Sequence, residues 1–281
     1  MAGVHIVTDS MASLPRDAAS SYGISIVPQV VTIGDDLYHE PFQDPTPLWP
    51  RLADPSVPVH ILVAEPEEFA RALMVPLEWG VEVVALHGPN SLFAAADAAR
   101  AALDLLPAGA PVTVIETNCL GPALGLLAIQ AALAGADGSS RDEVAALVAD
   151  SGPRARSFAY LADAGAWRRC PALTRWLGPA PTDPEEGLIV ELADGRPQLV
   201  ARAAGAGAAL RQLAELSAAA ADNDGPLHMA LVSCGADAAA AALATFLQAR
   251  LQPTEMWVAP AEVPLAAVFG EGAVGLGLYM A

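Results

Sequence analysis

Val4-His5-Ile6-Val7-Thr8-Asp9-Ser10, followed by Leu14-Pro15 and then by Gly23-Ile24-Ser25-Ile26-Val27-Pro28, decides the fold class. The stretch reads as strand, polar loop, helix, glycine stop and second strand. A short apolar run ending in Thr-Asp-Ser places a carboxylate and two hydroxyls just past the carboxyl end of a first strand, where open α/β sheets bind ligands. Thr8, Asp9 and Ser10 are therefore the first candidate binding residues.

Outward from this stretch, short β-like runs alternate with longer helical ones, the pattern of βαβ units around a parallel sheet. Strands are predicted at 4–7, 24–32, 81–86 and 112–116, with a weaker one near 59–63, and helices at 15–22, 66–74, 92–106, 122–134 and 141–150. Ser13 ahead of Pro15 is a helix start, Gly23 a stop, and Asp142-Glu143 suits a first turn, where the helix dipole favours acids. The helical pattern stops at Ser151-Gly152-Pro153, which divides the chain into an N-terminal domain, 1–153, and a C-terminal one, 154–281.

The second half opens with a helical reading of Tyr160-Leu161, a further helix from Arg168 to Trp176, and a loop rich in Pro, Gly and acids over 178–187. Leu188 to Leu192 and Gln198 to Arg202 flank Asp194-Gly195, a strong hairpin signal. Helix 206–221, strand 227–232, helix 236–250, strand 255–259 and a terminal strand at 275–280 follow. The expected fold is α/β, with two α/β domains: a doubly wound N-terminal domain on a parallel sheet and a smaller domain on a mixed sheet.

Composition excludes several function classes. The 281 residues carry 14 basic side chains, all Arg, against 32 acids, a formal charge of −18 that repels nucleic acid and anionic lipid surfaces alike. No stretch is apolar and long enough for stable membrane insertion, and no secretory signal precedes the first strand. Three widely spaced cysteines, Cys119, Cys170 and Cys234, fit a reducing compartment, so a cytoplasmic location is expected.

The usual chemical motifs also fail. Gly270-Glu271-Gly272-Ala273-Val274-Gly275 has the letters of a dinucleotide fingerprint but lies too near the terminus to open a helix inside a βαβ unit, and reads instead as a glycine-rich turn. The lack of Lys excludes a P-loop and a Schiff base. His5, His39, His60, His87 and His228 have no metal-ligand spacing, and Ser233-Cys234-Gly235 is better read as a strand-end turn than as a nucleophile. No cofactor, no metal and no catalytic residue is expected.

Thr8-Asp9-Ser10, Leu14-Pro15, Gly23-Ile24, Val27-Pro28 and Tyr38 resemble the start of the DegV family, and the order continues through Glu65-Pro66, Phe69, Leu92, Gly121, Gly125, Tyr160-Leu161, Asp194-Gly195, Arg202 and the glycines 270, 272 and 275. The resemblance implies a carrier without catalysis of its own, which holds a long-chain fatty acid in an apolar tunnel between two α/β domains and presents its carboxylate to a fatty acid kinase partner. Burial of the acyl tail would dominate affinity, at roughly 0.8 kcal/mol per methylene.

This chain departs from the family where a carboxylate would be held. Ile61 stands at the family's headgroup Thr, with Leu62 beside it. Phe93 takes the place of a Ser, and Val268 that of the His ahead of Gly270, Glu271 and Gly272, the family's Gly-Pro-Gly element. Arg202 and the Thr8-Asp9-Ser10 loop remain as polar anchors, with His60, Asn90 and Ser91 as nearby substitutes. Three other readings stay open: a more neutral or shorter ligand, a member that keeps the fold without a ligand, and a dihydroxyacetone-kinase-like small-molecule domain using His87.

Overall fold

A computed structural model describes residues 3–39, 41–54, 56–162, 167, 170–179, 186–221 and 225–281. In chain order the strands are β1 (Val4–Asp9), β2 (Ile24–Val27), β3 (Val30–Ile33), β4 (Asp36–Tyr38), β5 (Val59–Leu62), β6 (Glu82–His87), β7 (Val112–Glu116), β8 (Arg156–Leu161), β9 (Glu186–Ala193), β10 (Arg196–Ala204), β11 (Leu227–Ser233), β12 (Glu255–Pro260) and β13 (Val274–Met280). The described helices are α1 (Arg16–Ser21), α2 (Trp49–Ala53), α3 (Pro66–Glu78), α4 (Ala95–Ala102), α5 (Pro122–Ala136), α6 (Arg141–Ser151), α7 (Pro171–Leu177), α8 (Ala206–Ala220), α9 (Asp237–Leu251) and α10 (Val263–Phe269).

The strands form a four-stranded parallel sheet, β2-β1-β6-β7, and a six-stranded mixed sheet, β10-β9-β8-β13-β11-β12. This is the expected pair of α/β domains, one on a parallel and one on a mixed sheet. The parallel sheet is covered on both faces: α3 and α4 pack on one, where Phe69, Leu73 and Ala99 meet Val7, Val83 and Ala85. Helix α5 covers the other, against Ile6, Val84 and Leu86. Strand side chains that point alternately to the two faces explain why both sets come from the same short runs.

Helix α5 is the shared layer between the two large sheets. Every residue from Pro122 to Ile129 is buried, as an all-round apolar helix must be. Its backbone approaches both sheets closely because glycines leave room. A Cβ on Gly277 of β13 would lie 2.2 Å from the Ala123 nitrogen, and one on Gly135 of α5 would lie 2.8 Å from the Val4 carbonyl oxygen.

Several local expectations are corrected. Tyr160-Leu161 is not helical: both residues end β8, with Tyr160 buried against one side of the mixed sheet and Leu161 against the other, an alternation of period two. The strand expected over 24–32 is two strands in different sheets, because Pro28 cannot donate to a ladder. The helix expected from Leu92 begins at Ala95, so Leu92 and Phe93 sit in the turn that precedes it. Helix 168–176 is Pro171–Leu177, while residues 168–169 and most of the 178–187 loop lie outside the described residues.

A small antiparallel sheet, β4-β3-β5, and helix α10 were not foreseen. The Asp194-Gly195 hairpin forms as expected, with φ of +50° and +70°. Those are the left-handed values that a two-residue hairpin turn of type I′ requires.

Replacing Gly277 with Ala is expected to destabilise the protein by about 2–3 kcal/mol through forced separation of β13 and α5. Replacing Gly207, which is helical and meets only the end of the Arg211 side chain, should instead stabilise by up to about 1 kcal/mol. Urea unfolding of the two variants checks both signs.

Candidate functional site

The order β2-β1-β6-β7 puts a topological switch point between β1 and β6, and the Thr8-Asp9-Ser10 loop lies there. Its side chains are turned inward to hold the fold. Thr8 Oγ1 donates to the Leu86 carbonyl at 2.8 Å, joining β1 to β6. Asp9 Oδ1 accepts from the Met11 N–H at 2.9 Å, and its Oδ2 accepts from His87 Nδ1 at 2.7 Å. Ser10 Oγ accepts from the Gln29 N–H at 2.9 Å, and Gln29 Oε1 in turn accepts from the Ala64 N–H at 3.0 Å. All three loop residues are buried.

His87 is fully buried between Asp9 and the edge of the Phe69 ring. Its Nε2 has no hydrogen-bond partner and faces no described cleft, so a triose could not reach it to form an adduct.

Glu262, just ahead of α10, ties the C-terminal half to the N-terminal half. Its N–H donates to Ser13 Oγ at 3.3 Å, and its Oε2 accepts from the Phe42 N–H at 2.9 Å. Oε1 is buried without a partner. Burial, with Asp9 adding negative charge, outweighs the Phe42 N–H and the Arg16 guanidinium and pushes the Glu262 carboxyl up to about 7.

An apolar cleft opens on one face of the mixed sheet. Its walls are Leu92 and Phe93 from the turn before α4, Leu120 and Pro122 at the start of α5, and Ser157, Phe158 and Ala159 on β8. Cys170 and Leu173 at α7, Val190 and Leu192 on β9, Pro197 on β10, and Val268 and Phe269 at the end of α10 complete it. No charged side chain lines it.

About 490 Å³ of space lies between these atoms, part of it open to solvent, while only 40 Å³ admits the centre of a water-sized sphere. The cleft is a narrow slot. A wider cleft of 300 Å³ between Arg16, Phe42, Asp44 and Glu262 is shallower and more polar.

The residues singled out from the sequence fall into three groups. Phe93 and Val268 line the slot, and Ile61 packs against the same apolar cluster. His60 is exposed and Leu62 is 52% exposed, both on the edge strand β5. Asn90 is held by Glu116 at 2.8 Å and by Asp97 at 2.9 Å, and the Ser91 hydroxyl donates to the Gly195 carbonyl.

Arg202 is half exposed and pairs with Glu186 at 2.7 Å, away from the slot. Gly270 and Gly272 take φ of +78° and +82° in the turn between α10 and β13. The sequence reasoning missed the β9 wall, although the alternation of Leu188, Val190 and Leu192 against Ile189 marks one face of a strand.

The DegV family profile matches residues 3–281. The chain belongs to the DegV family. A DegV domain-containing protein of Streptomyces coelicolor is 35% identical over 141 residues, 50% of this chain and 50% of that protein. The match thus spans about half the length of the curated relative.

Two solved structures share the fold over nearly the whole chain. A DegV family protein of Thermus thermophilus, described for its fatty acid binding, has a TM-score of 0.89 at 23% identity, covering 99% of this chain and 100% of its own. A DegV lipid binding protein of Thermotoga maritima has a TM-score of 0.88 at 17% identity, covering 99% and 98%. Among the described residues, no helix is long and apolar enough to cross a membrane, and no cluster of His, Cys, Asp and Glu could hold a metal ion.

The Glu262 carboxyl fixes one pH dependence. Its folded value, about 7, stands above the ordinary 4.5, so its contribution to stability is present below pH 4.5 and is lost as the pH rises through 7. Between pH 5 and 8 the protein should therefore lose about 2–3 kcal/mol that a Glu262→Gln variant retains, at 1.36 kcal/mol per pH unit. Urea titrations of both chains across that range check this.

Proposed function

We propose that this DegV-family chain is a lipid-binding carrier that holds a long acyl chain in the apolar slot, at the junction of an N-terminal domain, 1–153, and a C-terminal domain, 154–281. One observation carries the reading. Segments from both halves of the chain converge on a single enclosed surface that lacks any charged side chain. Tail burial at roughly 0.8 kcal/mol per methylene is enough to bind a long chain there after ordering costs. The fatty acid binding described for the Thermus relative supports this choice of ligand.

In its present form the slot is too narrow for an acyl chain at rest, so entry requires Phe93 and Phe269 to change rotamer. The protein performs no chemistry in this reading. Presentation of a carboxylate to a fatty acid kinase partner, which the family resemblance implies, would need the head to remain at the mouth. Ile61, Phe93 and Val268 offer it no hydrogen bond.

Native mass spectrometry of the purified protein tests the reading, with a co-purified long-chain acyl compound as the expected result. Ala159→Phe, which plugs the slot from β8, should weaken binding of an apolar fluorescent probe by about tenfold or more, while the solvent-facing Arg202→Ala leaves it unchanged. If Ala159→Phe binds as well as the natural chain while remaining folded, the slot is not the binding site.

A further inference from the structure

The polar groups around the slot are already spoken for, and this bears on what the head of the ligand can be. The Ser157 hydroxyl, on the slot wall, accepts from the Leu120 N–H at 3.3 Å and donates to the Leu120 carbonyl at 3.2 Å. Backbone donors are equally engaged. The N–H groups of Leu92 and Phe93 both point to the Pro89 carbonyl, at 3.0 and 3.2 Å, and that of Gly121 to the Met11 carbonyl at 2.9 Å.

The cations in adjoining segments are no freer. Arg156, beside Ser157, pairs with Glu191 and lies 5.7 Å from the centre of the Phe158 ring. Arg100 pairs with Asp97 at 2.8 Å and with Glu116 at 3.6 Å, the same acids that hold Asn90. Arg196, next to Pro197, is stacked on Trp176 at 4.8 Å. Acids outnumber bases in the chain as a whole, with a net charge of −18.

An ionised carboxylate entering these surroundings would shed its water with no donor to replace it, and would take up a proton or stay outside. An ester or alcohol gives up far less hydration. We propose that the slot selects acyl compounds with an uncharged head, a long-chain ester or fatty alcohol, over the fatty acid anion. This rests on the carrier reading above and names its ligand class.

The test uses the full chain, stripped of lipid, at pH 8, with an uncharged fluorescent probe bound. Methyl palmitate, 1-hexadecanol and palmitate compete at matched free concentrations below micelle formation. The ester and the alcohol are expected to displace the probe about tenfold or more below the palmitate concentration needed. Palmitate competing as well as the others would overturn the uncharged-head proposal and leave the carrier reading standing. Failure of all three to compete would overturn both.

Discussion

Burial of α5 on all sides is the constraint from which the rest of the structure follows. A helix that is apolar around its whole circumference cannot lie on a surface, so two sheets must close over it. Gly277 and Gly135 permit this at the points where the backbones nearly touch. The same helix sets the position of Leu120 and Pro122 at its start, and these become one wall of the slot. A single packing decision therefore joins the two sheets and shapes the cavity between their segments.

Around that core, the carboxyl ends of β1 and β6 are stitched together by buried polar groups. Asp9 spans the Met11 N–H and His87, Thr8 reaches Leu86, and Ser10 reaches Gln29. In an open α/β sheet this place commonly receives a ligand. Here its hydrogen-bonding capacity is spent internally, and removal of one member of the Asp9–His87 pair would leave the other buried and uncompensated. The ligand surface lies instead on the mixed sheet, where side chains of β8 and β9 alternate between α8 and α9 on one side and the slot on the other.

Glu262 connects these two regions. It takes a backbone N–H from Phe42 and gives its own to Ser13, and the helix it precedes ends in Val268 and Phe269 on the slot wall. Titration of this carboxyl is thereby coupled to the contact between the halves of the chain. The energetic origin is plain: a carboxylate deprived of water and set near Asp9 is cheaper to protonate than to leave charged.

By itself the sequence determined the α/β class, the parallel order of the first sheet, the Asp194-Gly195 hairpin and the family, because each depends on periodicity, turn chemistry or the order of short motifs along the chain. Phe93 and Val268 were legible as site residues for the same reason. The β8 strand at Tyr160-Leu161, the β4-β3-β5 sheet and helix α10 were not, since short apolar segments fit helix and strand alike until packing chooses between them. Only the tertiary structure decided that Thr8, Asp9 and Ser10 face inward, that Arg202 pairs with Glu186 away from the slot, and that the β9 wall completes the cavity. Those outcomes depend on which atoms meet across long separations in the chain, where a hydrogen bond to one neighbour removes a side chain from every other use.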